Sequence, residues 1–564
     1  MYRDFKLPIY PQRSSEMMFS CRGCTPEEYR LDQAILDVHL ERLGAGTVLR
    51  VGEAKAIFDR AFHKLDPADY SKAAYERDGR VMVPVSYLRL YFGEDLPDDG
   101  QGYADLGAIC AERGLAFTYD AETGLAIAMP KPGRPITREE DAGFLARMAH
   151  AFRDPMMPEP RYNASEATRK VIASSSFSDE YKSFEDKDYI NLYSPTILLT
   201  RDKAGSKVIY IAHERSLFHD WREVSTVTVL LRSTDGGERY EEIATLENAR
   251  WATLFEVEGV IYLAGTLIEP QQTVVMARLE PDGSLSSRVL EGPHTDTCPN
   301  EMLVHNGRVY LPTYPYLMSA PVGSDLLDSA SWTYSNNIRE FVTKKWFLRE
   351  TGAETVENFW PLENNILIGP GGRLQVIMRL EIQPNNGYAL LMNLSEDGKQ
   401  LSFEESTNGL VEMPTTVSKF QVRYDQRSGL YLAMPSYPSI PMPFPSRASA
   451  PVAGHRNVLC LAASPDLINW KVIDILLCDR EVMNAVSSAR AHGFQYVMWD
   501  WDGDDLLYVV REAVGYTKDY HDGMFVTLYR LKDYLPLVKE RYAAEEFWKN
   551  PNRKKSEERA AWLA

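Results

Sequence analysis

No run of 18 or more apolar residues occurs in the 564-residue chain, so no membrane-spanning helix is expected. The opening "MYRDFKLPIYPQ" lacks the basic-then-apolar pattern of a secretion signal. As written, the chain is expected to be cytoplasmic, unless a segment has been trimmed from it. Cysteine is scarce, at six residues. "CRGC" at Cys21 to Cys24 has redox or half-zinc spacing, but no second pair follows it. Cys110, Cys298, Cys460 and Cys478 sit in apolar surroundings and read as buried thiols. Positive charge is in deficit: 62 Lys and Arg against 80 Asp and Glu give a formal charge of -18. That balance argues against non-specific binding to nucleic acid, which is itself a polyanion. It leaves an acidic sugar open as a substrate, because a local cluster of Arg and Lys can override the net sign.

What the chain does have is ordinary for a protein with sizeable cores, 44% hydrophobic and 25% charged residues. Its length suggests two or more domains. Residues 1–45 read as an extension. Residues 46–130 mix helix and strand: "GRVMVPVSYLRLYFG" runs from a short strand into a helix. "YADLGAICAERGLAFTYDAETGLAIAMP" reads as a helix, a stop at Gly114, and two strands joined by a turn at Asp120 to Gly124. These two stretches resemble the copper amine oxidase-like N-terminal (stalk) domain, in which an "MVP" strand feeds a helix and a final hairpin. No copper-ligand cluster accompanies them, so a supporting or docking role is expected. Residues 131–185 open and close with Pro around one helical stretch and read as a linker, and 541–564 as a charged tail.

From about residue 186 to 540 the texture changes to short alternating strands. One unit recurs: a strand, a tight polar turn, a second strand, then a third further on. The turns "DKAG", "VEG", "HNG", "GPGG", "DQRSG" and "DWDGDD" carry the Gly, Asn and Asp that hairpins use for positive φ. Six such units argue for an all-β fold, a six-bladed β-propeller with a seventh blade conceivable before residue 190, preceded by the small α/β domain. A β-sandwich gives no reason for six similar hairpins. In the last unit Asp500, Asp502, Asp504 and Asp505 fall at a hairpin turn. They read as a solvated turn, with a structural calcium as the alternative. No other metal and no cofactor is expected.

In a propeller, the residues just before the first strand and just after the second gather on one face. Applied to this repeat, that rule selects His213, Tyr314, Glu363 and His492 as catalytic candidates. It selects Trp251, His294, Asp296, Asn365, Arg379, Lys419 and Arg511 as substrate-binding candidates. Blade ends are polar simply because loops are polar, but that explains less well why His, Arg, Lys, Trp and Tyr recur at equivalent places. Trp and Tyr offer stacking faces to sugar rings, Arg and Lys suit a carboxylate, and His titrates near neutral pH.

"STDGGERY" at 233–240 fits the Asp-box pattern S-x-D-x-G-x-x-aromatic, with Asp235 capping the turn and Tyr240 packing on it; "SPDLINW" at 464–470 is a shortened version. With "YSPTILL", "ARWATLF", "LVHNGRVY", "LENNILIGPGGRLQVIMR", "SKFQVRYD" and "HGFQYV", these segments resemble the sialidase-like BNR-repeat propellers of glycan degradation. That broad group includes sialidases and the lyases that cleave rhamnose–glucuronate or ulvan linkages. In that group Asp boxes are structural turns. Sialidases open the first blade with an Arg in "(F/Y)RIP". Here the run is "YSPT", which argues against sialic-acid hydrolysis. Related proteins carry a His where this chain has Asp296 in "HTDTCPNE", a position His294 can fill.

The resemblance and the convergent side chains imply a carbohydrate-active enzyme working on an acidic, uronate-containing glycan, by elimination or by exo-hydrolysis. Elimination needs a base and an acid around the C5 proton and a cation on the carboxylate, roles assigned to His213, a Tyr and an Arg. Hydrolysis needs two carboxyl groups, for which Glu214 and Glu363 are available. A non-catalytic glycan- or protein-binding propeller is the competing class.

Overall fold

The computed structural model describes residues 47–50, 56–59, 75–85, 88, 96, 98–112, 116–120, 125–129, 168–175, 188–219, 222–352, 356, 359–382, 387–438, 456–478, 493–513 and 523–550. It is mostly β, built from antiparallel sheets.

In the N-terminal region, strand Arg80–Pro84 lies between Tyr75–Arg77 and Tyr103–Asp105. The helix Leu106–Glu112 follows directly and buries Leu106, Ile109 and Cys110. Strands Ala116–Asp120 and Leu125–Met129 form the expected hairpin. A second sheet pairs Leu125–Met129 with Thr47–Arg50. Cys21 and Cys24 lie outside the described residues.

Six larger sheets then follow in chain order, with a two-stranded ladder of Asp296–Thr297 and Thr313–Tyr314 beside the third. The first holds Asp188–Arg201, Lys207–His219, Arg222–Ser233 and Glu241–Glu247; the second runs from Ala249–Val257 to Leu285–Val289. The third runs from Leu303–His305 to Thr333–Tyr334, the fourth from Phe359–Ile368 to Leu410–Glu412, and the fifth from Val422–Asp425 to Lys471–Cys478. The sixth holds Gly493–Asp502, Asp505–Ala513 and Phe525–Leu531, and its outer strand is Lys170–Ser174. The linker expected over 131–185 therefore contains a strand of the last sheet. This short segment carries no alternation strong enough to reveal it. Between the N-terminal sheets and residue 188, the described residues 168–175 add a strand to the sixth sheet and form no sheet of their own.

Near-continuous apolar runs such as Val458–Ser464 and Leu374–Ile382 bury both faces of the inner strands, and each face finds a neighbour. Hydrophobic clusters join the first sheet to the second (Leu230 with Leu254), the second to the third (Met276 with Val309) and the third to the fourth (Tyr310 with Val376). Others join the fourth to the fifth (Leu391 with Tyr431) and the fifth to the sixth (Leu461 with Trp499). One more joins the sixth to the first (Val509 with Ile209). The charged tail expected from 541 is partly built in: helix Tyr534–Ala544 buries Tyr534 and Val538, and Trp548 N donates to Trp470 O.

The turns between third and fourth strands are tied by aspartate. Asp235 Oδ1 accepts from Ser233 Oγ at 2.8 Å and from the amides of Glu238 and Arg239 at 3.0 Å. Asp466 Oδ1 accepts from the amides of Ile468 and Asn469, with Trp470 buried beneath. The aspartates of the sixth hairpin need a correction. Only Asp504 is well exposed, and each of the four is paired: Asp500 with Arg423, Asp502 with Lys207 and Arg530, Asp504 with Arg427, and Asp505 with Arg530. They tie the last sheet to its neighbours, and no metal-binding cluster forms among the described residues.

Candidate functional site

Four of the six sheets carry a bulge in the first strand. Residues 194–195 stand opposite His213, 251–252 opposite Gly265, and 496–497 opposite Val510; Glu363 is the extra residue between the pairs Leu362–Arg379 and Asn364–Met378. A bulge kinks the strand and re-aims a side chain. Ser194, Trp251 and Tyr496 have φ of 41°, 53° and 54°. That left-handed conformation costs an ordinary L-residue about 1–2 kcal/mol. Strain repeated at equivalent places in separate sheets points to function rather than accident.

Tyr496 and Glu363 meet across two sheets: the Tyr496 hydroxyl donates to Glu363 Oε1 at 3.0 Å. Arg379 Nη1 donates to both Glu363 oxygens at 2.9 and 2.8 Å, and its Nη2 to Glu381 at 2.8 Å. Burial works against the Arg379 charge, but Glu363, Tyr496 and Glu381 outweigh it and raise its pKa. Burial and then the Glu363 charge raise the Tyr496 pKa, so its proton stays on oxygen until a base takes it.

On the other side of Tyr496 lies Arg511, 1% exposed, its guanidinium 4.3 Å from the Tyr496 ring centre and 5.1 Å from that of Tyr193. Arg511 Nη2 and Arg456 Nη1 both donate to Gln495 Oε1, at 2.6 and 2.5 Å. Among the described residues no carboxylate accepts a hydrogen bond from Arg511, and its Nε has no partner. Burial, aided by repulsion from Arg456, lowers its pKa to about 10.

A second arm comes from the second and third sheets. Asp296 accepts from Gln272 at 3.2 Å, and its other oxygen is buried without a partner. Burial raises its pKa against the pull of Arg250 and Arg339. Arg250 stacks on Trp251 at 4.0 Å, and the Trp251 amide donates to Glu214 Oε1 at 2.7 Å. Arg339 Nε donates to the Tyr314 hydroxyl at 3.0 Å; Tyr314 pairs with Asp296 across a short ladder.

Of the residues singled out in the sequence, Glu363, Arg379 and Arg511 converge around Tyr496, and Tyr314, Asp296 and Trp251 sit together in the second arm. Lys419 is buried below them. His294 is exposed, and His492 lies outside the described residues. Two assignments need correction. Asn365 binds no open space: its amide spans the fourth and fifth sheets, donating to Phe420 O at 3.1 Å and accepting from Val422 N at 2.9 Å. His213 is 3% exposed, its Nδ1 is 3.0 Å from Glu214 O, and the charged groups acting on it are Arg215 and Glu242. Alternation along the strand turns Glu214, rather than His213, toward Arg511. Gln495, at the start of the last hairpin, stood out in the sequence beside His492, but Tyr496 and Arg456 were missed, though "HGFQYV" contains the tyrosine.

A cavity of about 690 Å³ lies at the opposite, turn-bearing ends of the first strands, lined by Glu301, Arg423, Tyr424 and Trp501 among others. Five residues of strand separate Tyr496 from Trp501, roughly 17 Å. Arg423 there is already bonded to both Glu301 and Asp500, so the cavity lacks a free cation for an acidic ligand.

No family model and no curated protein matches this chain. Among solved structures, a Dyadobacter fermentans protein of unknown function aligns at 13% identity over 65% of this chain and 98% of its own, with a TM-score of 0.39. Trypanosoma rangeli sialidase in complex with sialic acid aligns at 13% over 62% of this chain and 55% of its own, TM-score 0.36. Penicillium chrysogenum alpha-L-arabinanase complexed with arabinobiose aligns at 11% over 67% and 99%, TM-score 0.38. Likeness this slight defines neither fold nor function. None of the described helices is long and apolar enough to cross a membrane.

Proposed function

We propose that the six sheets are the blades of a β-propeller and that the chain cleaves a glycan bearing a carboxylate. The succession of shared clusters, returning from the sixth sheet to the first, supports the propeller. The observation that carries the function is Arg511, a buried guanidinium held by an amide oxygen where a carboxylate would satisfy it better. It flanks a tyrosine already hydrogen-bonded to a carboxylate.

In this reading the sugar carboxylate binds Arg511 with Arg456. Tyr496 Oη attacks the anomeric carbon while Glu363 takes the phenol proton, and Asp296, which burial biases toward its protonated form, delivers a proton to the leaving oxygen as the glycosidic bond breaks. Water, giving a proton to Asp296, then displaces Tyr496 Oη, which regains its proton from Glu363, and the free sugar leaves. Trp251 offers a ring face at the same mouth. His213, sealed in the first sheet, has no part. The base expected there is replaced by the Tyr496–Glu363 pair.

The test is incubation with uronate- and sialate-bearing oligosaccharides, with products read by mass. A product at the hydrolytic mass supports this chemistry, and one lighter by a water means elimination with Tyr496 as base. Glu363→Gln should lower turnover roughly 10²–10⁴-fold with the fold intact. Saturable binding of acidic sugars without any product would make the chain a binding propeller instead.

A further inference from the structure

The bulges that aim the site residues free backbone groups from the ladder, and buried groups of that kind need partners. In three sheets the partner comes from the preceding sheet. Glu214 accepts from the Trp251 amide, Asn300 Nδ2 donates to Asn364 O at 2.9 Å, and Lys419 Nζ donates to Val497 O at 2.7 Å. The third clamp differs in kind. An amide such as Asn300 satisfies a carbonyl with no charge, yet here a lysine ammonium is 1% exposed. Its attractive neighbours are Glu363 and Cys298, and burial lowers its pKa to about 7. A cation kept at such cost beside Glu363, on the carbonyl next to Tyr496, does more than close a hydrogen bond.

We infer that Lys419 is the positioning residue of the Tyr496–Glu363 pair: it fixes the bulge that presents Tyr496 and sets a cationic side chain beside the Glu363 carboxylate that accepts the tyrosine hydrogen bond. It touches no substrate in this role. The inference rests on the reading of Tyr496 and Glu363 as the reacting pair. Its distinctive claim is that the fifth sheet, which supplies no reacting group, controls the chemistry of the sixth and fourth.

Lys419→Met keeps length and apolarity and removes a buried charge, so the chain should fold; Lys419→Gln keeps a donor without the charge and serves as the second variant. With a substrate in hand, Lys419→Met should lose roughly ten- to a hundredfold in kcat with KM little changed, since Arg511 and Gln495 are untouched. Lys419→Gln should recover only part of it. A readout free of turnover is the tyrosine-ring carbon signal of Tyr496, assigned by its disappearance in Tyr496→Phe. In Lys419→Met it should shift, while the signals of Tyr310 and Tyr508, in other surroundings, stay. A folded variant with unchanged kcat, or an unmoved Tyr496 signal, overturns the inference. If no substrate is turned over at all, the proposed function fails, but the Tyr496 signal still decides the role of Lys419.

Discussion

Arg423, half-buried, and Arg511, fully buried, are both guanidiniums packed on aromatic rings, and they stand at opposite ends of the sheets. At the turn-bearing end, Arg423 lies 4.0 Å over Trp501 and bonds to two carboxylates and the Trp499 carbonyl. Burial opposes its charge, but Glu301 and Asp500 prevail and raise its pKa. At the bulged end, Arg511 faces tyrosine rings and a glutamine, and its pKa falls. The same residue type is finished at one end and left unfinished at the other. The finished end is structural: its pairs run between the third, fifth, sixth and first sheets. The unfinished end is where an anion from outside completes the set.

The sharpest way to break this comparison is to replace each arginine with methionine. Arg423→Met strands Glu301 and Asp500 together, and should lower unfolding free energy by about 1–3 kcal/mol in urea titrations. Arg511→Met removes a charge that has no carboxylate bonded to it, so stability should hold or rise while binding of acidic sugars is lost. Equal destabilisation by both would mean that Arg511 is structural after all.

The repeat was legible because its turns depend on chemistry local to a few residues. Gly259, Gly307 and Gly371 have positive φ at hairpins where "VEG", "HNG" and "GPGG" place them. Tyr496 was not legible. A bulge adds one residue to a strand and shifts the alternation, and from Tyr496 on, inside "YVMW", every residue is apolar enough to hide the slip. His213 and Asn365 were drawn in by position at strand ends, although orientation within the strand decides what a side chain reaches. Glu363, Arg379 and Arg511 were selected by the same rule of position, and there the orientation within the strand agrees with it.

Titration separates the two ends next. Burial lowers the His213 pKa from 6.5 to about 4, with Arg215 adding to it and the Glu214 carbonyl opposing. The unfolded chain binds the proton more readily, so this contribution to stability is complete above pH 6.5. It is lost as pH falls through 4, by about 3 kcal/mol in all. Glu301, at the turn end, has the opposite sign: burial and Asp500 raise it to about 7 against Arg423. Its contribution is complete below pH 4.5 and is lost as pH rises through 7. Unfolding free energy against pH for His213→Gln should flatten the acid limb, and Glu301→Gln the neutral limb; an unchanged limb in either would refute that assignment.

The smallest effect belongs to the outer turns, remote from both arginines. Asp235→Ala removes an acceptor shared by three donors at an exposed turn, and should lower stability only slightly with turnover unchanged. A loss of turnover would draw the outer turns into the site.

Strand Lys170–Ser174 completes the sixth sheet although it precedes the first, and Thr168 and Arg530 exchange hydrogen bonds across 362 positions. On the ribosome, that strand emerges roughly 20–70 s before its partner at ordinary elongation rates. Through that interval it is an unpaired edge, with Ile172 and Ala173 still lacking the cluster they later join. Five sheets can form as they appear, but the last step of folding must wait until Phe525–Leu531 has been made. The earliest strand of the array is therefore the last to find its place, and a stalled chain leaves that edge open to other polypeptides.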